Sequence, residues 1–144
     1  MSMHRIDVRA RSAAAPEVVF ALIADGSTWP VWGAWDSFEI EKKGEDGGGG
    51  VGAIRKFVRG RMVTREVVVT VNEPKRFTYD LLSGLAVRGY RAHVDLTPDG
   101  DGTEIHWHSS FRSGVPGTGW LYRWQMRKFI QDTANRVAKF AEKR

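Results

Sequence analysis

A chain of 144 residues, 42% hydrophobic and 27% charged, has the length and balance of one soluble globular domain with a buried core, so residues 1–144 are read as a single domain. It contains no cysteine, which excludes a disulfide framework, a thiolate metal site and a cysteine nucleophile. The net charge of +5 raises nucleic acid as a partner, but arginines are spread from Arg5 to Arg144 with acids between them. The densest group (Arg123, Arg127, Lys128, Arg136, Lys139, Lys143, Arg144) falls on one predicted helix, as a solvated helix face would, so no nucleic acid is expected.

Residues 1–11 lack the apolar core of a secretory signal, and no apolar run approaches about 18 residues, so a cytoplasmic protein without a membrane span is expected. Residues 4–11 alternate strictly, with Ile6, Val8 and Ala10 on one side and Arg5, Asp7, Arg9 and Arg11 on the other, the pattern of a half-buried strand. Pro16 and Glu17 then suit the first turn of a short helix carrying Val18, Val19, Phe20, Leu22 and Ile23, and Asp25-Gly26 ends it. Residues 27–35, with Trp29, Pro30, Trp32 and Trp35, give a second short helical turn. A strand over 36–42 carries Phe38 and Ile40.

The loop at 44–52 holds four consecutive glycines. Gly47, Gly49 and Gly52 formally match a dinucleotide-binding GxGxxG, but a strand-like segment follows where that motif needs a helix, so the loop is read as a mobile connection. Strands are predicted at about 53–59, 62–71, 76–83, 88–97 and 104–112. Gly60, Gly84 and Gly89 are candidates for bends or bulges, and residues 98–102 (Pro-Asp-Gly-Asp-Gly) for a hairpin turn. Only registers pairing opposite parities keep Tyr90, Ala92, Val94 and Leu96 on the same face as Ile105, Trp107, Ser109 and Phe111. The tightest pairs Leu96 with Ile105, Val94 with Trp107, Ala92 with Ser109 and Tyr90 with Phe111, and sends Asp95, His93, His106 and His108 to the other face. A terminal helix over about 119–143, with Thr118 as its cap, presents Tyr122, Met126, Phe129, Ile130, Thr133, Val137 and Ala141 at helical spacing.

Seven strands with a helical insert after the first, closed by a long helix, predict an α+β helix-grip fold: a curved antiparallel sheet wrapped on the C-terminal helix. A bent sheet cannot touch a straight helix along its whole length, so a gap between them is expected. The residues Ala15-Pro16-Glu17-Val18-Val19-Phe20, Asp25, Trp29-Pro30-Val31-Trp32, Gly50-Val51-Gly52, residues 72–79 (Asn-Glu-Pro-Lys-Arg-Phe-Thr-Tyr), Tyr90-Arg91-Ala92, residues 97–103 and Trp107 resemble the START-like superfamily, also described as polyketide cyclase/dehydrase and lipid-transport-like (SRPBCC). The resemblance covers nearly the whole chain. It implies a cavity for an apolar or aromatic ligand, since such families include lipid carriers, hormone and flavonoid binders and aromatase/cyclases.

On that reading the ligand-binding candidates are Trp32, Trp35, Val67, Val69, Phe77, Tyr79, Leu81, Tyr90, Ala92, Trp107, Ser109, Met126, Phe129 and Ile130. The valine run 67–69 blurs the period of its strand, and Val67 and Val69 are taken as inward. The glycine loop and the segment 113–119 are candidates for the cavity mouth. A cyclase or dehydratase would need inward acids or bases; the inward polar candidates are Tyr79, Tyr90 and Ser109, and tyrosine is a poor base, so no catalytic residue is assigned. An arginine reaching inward, such as Arg65 or Arg88, would favour an enzyme. His93, His106, His108 and Asp95 have metal-ligating chemistry, but they lie on the solvent side, and neither a metal nor another cofactor is expected. The leading expectation is a carrier for a small hydrophobic ligand, as a monomer or weak homodimer. The alternatives are a cyclase/dehydratase on the same scaffold and a basic nucleic-acid or protein interaction module.

Overall fold

The first strand, β1 (Met3–Ser12), follows from its alternation: Ile6 and Val8 are buried, and Arg5, Asp7 and Arg9, which alternate with them, are exposed. The computed structural model describes residues 3–144; Met1 and Ser2, which open the segment read as lacking a secretory signal, lie outside the described residues. Pro16 starts α1 (Pro16–Ala24), which buries Val19, Phe20, Leu22 and Ile23. Asp25 ends it and caps a short 3₁₀ turn by accepting from the Ser27 N–H at 3.1 Å. α2 (Trp29–Trp32) follows at once, and its two tryptophans point into the core. The remaining strands are β2 (Ser37–Lys42), β3 (Ile54–Arg59), β4 (Met62–Asn72), β5 (Arg76–Ser83), β6 (Val87–Asp99) and β7 (Gly102–Ser113), and the chain closes with α3 (Gly119–Ala141).

The strands form one seven-stranded antiparallel sheet in the order β1-β7-β6-β5-β4-β3-β2, so the predicted helix-grip architecture is the one observed. Leu96, Val94 and Ala92 stand opposite Ile105, Trp107 and Ser109, as the parity argument required. That register ends before Tyr90. Between Arg88 and Arg91 the ladder shifts, and Gly89 takes a left-handed φ of 61°, so Gly89 and Tyr90 together oppose Phe111 in a bulge. Gly60 lies in the two-residue turn between β3 and β4 rather than at a bend within a strand.

α3 is about 34 Å long at 1.5 Å per residue. Its C-terminal half carries Ala134, Ala138 and Ala141, which let it sit close to the sheet; the Ser12 hydroxyl donates to the Ala138 carbonyl at 2.7 Å. Its N-terminal half carries Tyr122, Met126 and Phe129, and there the helix stands away from the sheet. The helix also protects an edge of the sheet. Arg123 and Gln131 donate to the carbonyls of Arg5 and Arg9 on β1, at 2.8 and 2.9 Å, satisfying acceptors that an edge strand leaves free. Thr118 does not cap the helix as predicted. Its hydroxyl bonds the Val115 carbonyl at 2.7 Å, inside the preceding loop.

Candidate ligand cavity

The gap under the first half of α3 is a cavity of about 300 Å³, at the lower end of the range for small-molecule sites. Its inner wall is buried and mostly aromatic. Trp107 and Trp29 meet edge to face at 5.8 Å, and Trp35 packs on Phe129 at 5.5 Å. Arg59, Met62, Leu81, Leu85, Tyr122 and Gln125 are exposed or half-buried lining residues. They place the mouth where the β3–β4 turn, the β5–β6 loop and the start of α3 converge.

Most of the buried polar groups of the wall sit on its sheet side; Thr133 is the one on α3. Trp107 Nε1 donates to the Tyr79 hydroxyl at 3.3 Å. Burial holds the Tyr79 phenol far above its ordinary range, and burial pushes Tyr90 up to about 12, so both stay protonated at neutral pH. Beside them is Glu66, 5% exposed, whose carboxylate accepts from Arg55 Nε at 3.0 Å and Nη2 at 2.6 Å. Burial pushes the Glu66 carboxyl upward against the pull of Arg55.

Arg55 is itself fully buried. It donates to the carbonyls of Ile23 and Ala24 at the end of α1 and lies 4.9–5.2 Å from the ring centroids of Trp29, Phe57 and Phe77. Three aromatic faces and a carboxylate thus hold a guanidinium that water no longer reaches. The pair forms a partition: Glu66 faces the main cavity, and Arg55 borders a second cleft lined by Phe38, Ile40, Gly49, Gly50 and Phe77.

Eight of the fourteen predicted ligand-binding residues line the cavity: Trp35, Tyr79, Leu81, Tyr90, Trp107, Met126, Phe129 and Ile130. Val67 and Val69 do not, and the inward assignment is corrected. Thr64, Glu66 and Val68 are the buried positions of β4, while Val67 is half-buried on the outer face and Val69 sits where the β4–β5 register slips between Val68 and Thr70. Trp32 packs on Trp29 at 5.3 Å and donates to Thr28 Oγ1, outside the cavity. Phe77 is taken up behind Arg55. Ala92 and Ser109 are buried but reach no cavity surface.

Neither the glycine loop nor segment 113–119 lines the cavity; the glycine loop flanks the second cleft instead. Arg65 bonds Glu41 on the outside and Arg88 is exposed, so the inward arginine is Arg55. The histidines face outward as expected: His108 Nε2 meets Asp95 at 2.7 Å, and His106 Nε2 meets Asp7 at 3.0 Å.

A family model described as polyketide cyclase / dehydrase and lipid transport matches residues 3–142. The chain belongs to that family. No curated protein matches the sequence. Among solved structures, a START superfamily protein from Mycobacterium smegmatis superposes with a TM-score of 0.83 at 16% identity, covering 97% of this chain and 98% of its own. Ara h 8.0201 gives 0.81 at 16%, covering 99% and 100%. Norcoclaurine synthase from Thalictrum flavum, in complex with dopamine and hydroxybenzaldehyde, gives 0.77 at 18%, covering 99% and 88%. These likenesses show a START-like, helix-grip fold.

The Arg55–Glu66 pair is what the sequence reading missed. A signal for it existed. A tight turn at Gly60-Arg61 registers β3 on β4 so that Arg55 stands opposite Glu66. Inward Phe57 on β3 then requires inward Thr64, Glu66 and Val68 on β4.

Proposed function

We propose that this chain binds one small, mostly apolar molecule carrying a single polar group, with the apolar body against Trp35, Trp107, Met126 and Phe129 and the polar group beside Glu66 and the two tyrosines. The observation that carries this reading is the composition of the wall: an aromatic and aliphatic cavity in which Glu66, Tyr79 and Tyr90 gather on the sheet side, while Thr133 on the helix side already donates its hydroxyl to the Phe129 carbonyl. Apolar burial supplies affinity at about 25 cal/mol per Å², less the costs of ordering, and the polar group fixes orientation. Lipid-like and polyketide-like molecules with a terminal hydroxyl or carbonyl fit this description. The two aromatic compounds held by the norcoclaurine synthase neighbour support the same size class.

Native mass spectrometry of freshly purified protein, with organic extraction of anything bound, is the first test. The second is titration with the fluorescent probe 1-anilinonaphthalene-8-sulfonate. Leu85→Trp, which fills the mouth, is expected to weaken probe binding at least about tenfold with the melting temperature kept. Unchanged binding in that variant would place the probe elsewhere and count against the cavity.

A second reading, an enzyme of the cyclase or dehydratase kind, is favoured by one observation: a buried carboxyl raised by its surroundings lines the cavity. Glu66→Gln separates the two. A carrier keeps its ligand with a modest change in affinity, whereas an enzyme moving a proton through Glu66 loses turnover by about a hundredfold or more.

A further inference from the structure

The outer face of the first two turns of α3 is unlike the rest of the surface. Trp120 is 69% exposed and Trp124 is 56% exposed, with Leu121 and Val115 also open to solvent. Trp120 and Trp124 are one turn apart on the side opposite the buried stripe of Met126, Ile130 and Thr133. Isolated apolar residues on a surface need no explanation; two tryptophans and two aliphatic side chains together do.

The charge around them is one-sided. Residues 105–131 contain Arg112, Arg123, Arg127 and Lys128 and not one aspartate or glutamate. None of these four cations is in an ion pair among the described residues, whereas Arg9, Arg11, Arg55, Arg65, Arg76, Arg91 and Arg136 all are. Lys128 lies 4.6 Å above the Trp124 ring, so cation and aromatic share one face. The patch also reaches the mouth of the cavity. Leu121 is one turn from Gln125 on the rim, and the Gly114 N–H bonds the Ala86 carbonyl at 2.9 Å, which holds the Val115 loop beside Leu85.

We propose that this face docks on an anionic lipid surface. Tryptophans suit the headgroup boundary, where an indole finds both apolar and polar surroundings, and unpaired cations beside them are drawn to acidic headgroups. A protein partner would meet the same indoles, but the four unpaired cations select a surface dense in negative charge. Docking there sets the cavity mouth against the bilayer, so an apolar ligand passes between lipid and cavity without crossing water. That last step rests on the ligand-binding reading; the docking itself does not.

The test is flotation of the full chain with vesicles of phosphatidylcholine and phosphatidylserine at 7:3, against phosphatidylcholine alone. The expected result is partition to the anionic vesicles that falls with salt and is much weaker on neutral ones. Trp120→Ser with Trp124→Ser should lower it at least about tenfold, and Arg127→Glu with Lys128→Glu by roughly thirtyfold or more. Both pairs are solvent-facing, and an unchanged melting temperature shows that they still fold. No partition, equal partition on neutral vesicles, or variants that partition like the parent would each overturn the proposal. So would capture by a nucleic acid or a protein without any vesicle binding. Probe binding in the cavity is read in parallel: a chain that floats but takes up no probe fails the ligand reading alone, and one that takes up probe but never floats fails the docking alone.

Discussion

Arg55 and Glu66 are the residues whose removal says most. Taking two charges out of water costs several kcal/mol per ion, and only good geometry with further hydrogen bonds recovers it. Both conditions are met here: two bonds to one carboxylate oxygen, two backbone carbonyls at the end of α1, and three ring faces. Arg55→Met removes the partner and leaves a buried carboxylate, so it should cost about 3–5 kcal/mol in urea unfolding at pH 7. In that variant Glu66, already raised by burial, moves further up and becomes a neutral acid in the cavity wall. Adding Glu66→Leu should restore most of the loss, because an apolar pair of similar volume needs no compensation. If the double variant is no better than Arg55→Met alone, the packing of the guanidinium on its rings matters more than its pairing with Glu66.

At the scale of elements, much of the structure was legible. Alternation gave β1, helical spacing gave α3, and parity gave most of the β6–β7 register, because each depends on one buried face repeating at a fixed period. The failures cluster where the period is interrupted. The slip at Val69 and the bulge at Gly89 are each one residue long, and one residue reverses which side chains face inward. In β4 the error was compounded by hydrophobicity: valines were preferred inward, while the cavity took a glutamate. Gly84 tests how tightly the β5–β6 end is built. Its φ is 116°, and an added Cβ would lie 2.5 Å from the Val63 carbonyl oxygen and 2.8 Å from Thr64 Cα, both backbone atoms that cannot step aside. Gly84→Ala should therefore cost about 2 kcal/mol or more. It should also loosen probe binding, since Thr64, Leu81 and Leu85 around it line the cavity. A stable variant with parental binding would mean that this end of the sheet shifts freely.

Across the whole molecule, the sheet separates two electrostatic worlds, and their pH responses have opposite sign. Inside, the Glu66 carboxyl is raised, so its contribution to stability is present at acid pH and declines as pH rises through its folded value. On the outer face the groups run the other way. Burial lowers His93, whose Nδ1 meets the Thr78 hydroxyl at 2.8 Å; the unfolded chain takes that proton first, so stability falls once pH drops below about 6.5. For Asp95 partial burial pulls upward, but the Arg76 fork at 2.6 and 2.8 Å and His108 at 2.7 Å outweigh it and hold the carboxyl at about 2. Its contribution is full above the ordinary carboxylate range and is lost as pH falls from about 4 toward 2. Taking a carboxyl from 3.8 to about 2, with a quarter of the side chain still in water, is worth about 1–2 kcal/mol after screening. The outer-face groups should therefore lower urea midpoints in two stages between pH 7.5 and pH 2, a shallow one below 6.5 that Glu66 offsets in part and a steeper one below 4. Asp95→Asn should lower the neutral plateau by about 1–2 kcal/mol and flatten the second stage. His93→Gln should flatten only the first. A parental second stage in Asp95→Asn would assign the acid transition to the other carboxylates of the outer face, Asp7 first, which its bond to His106 also holds low.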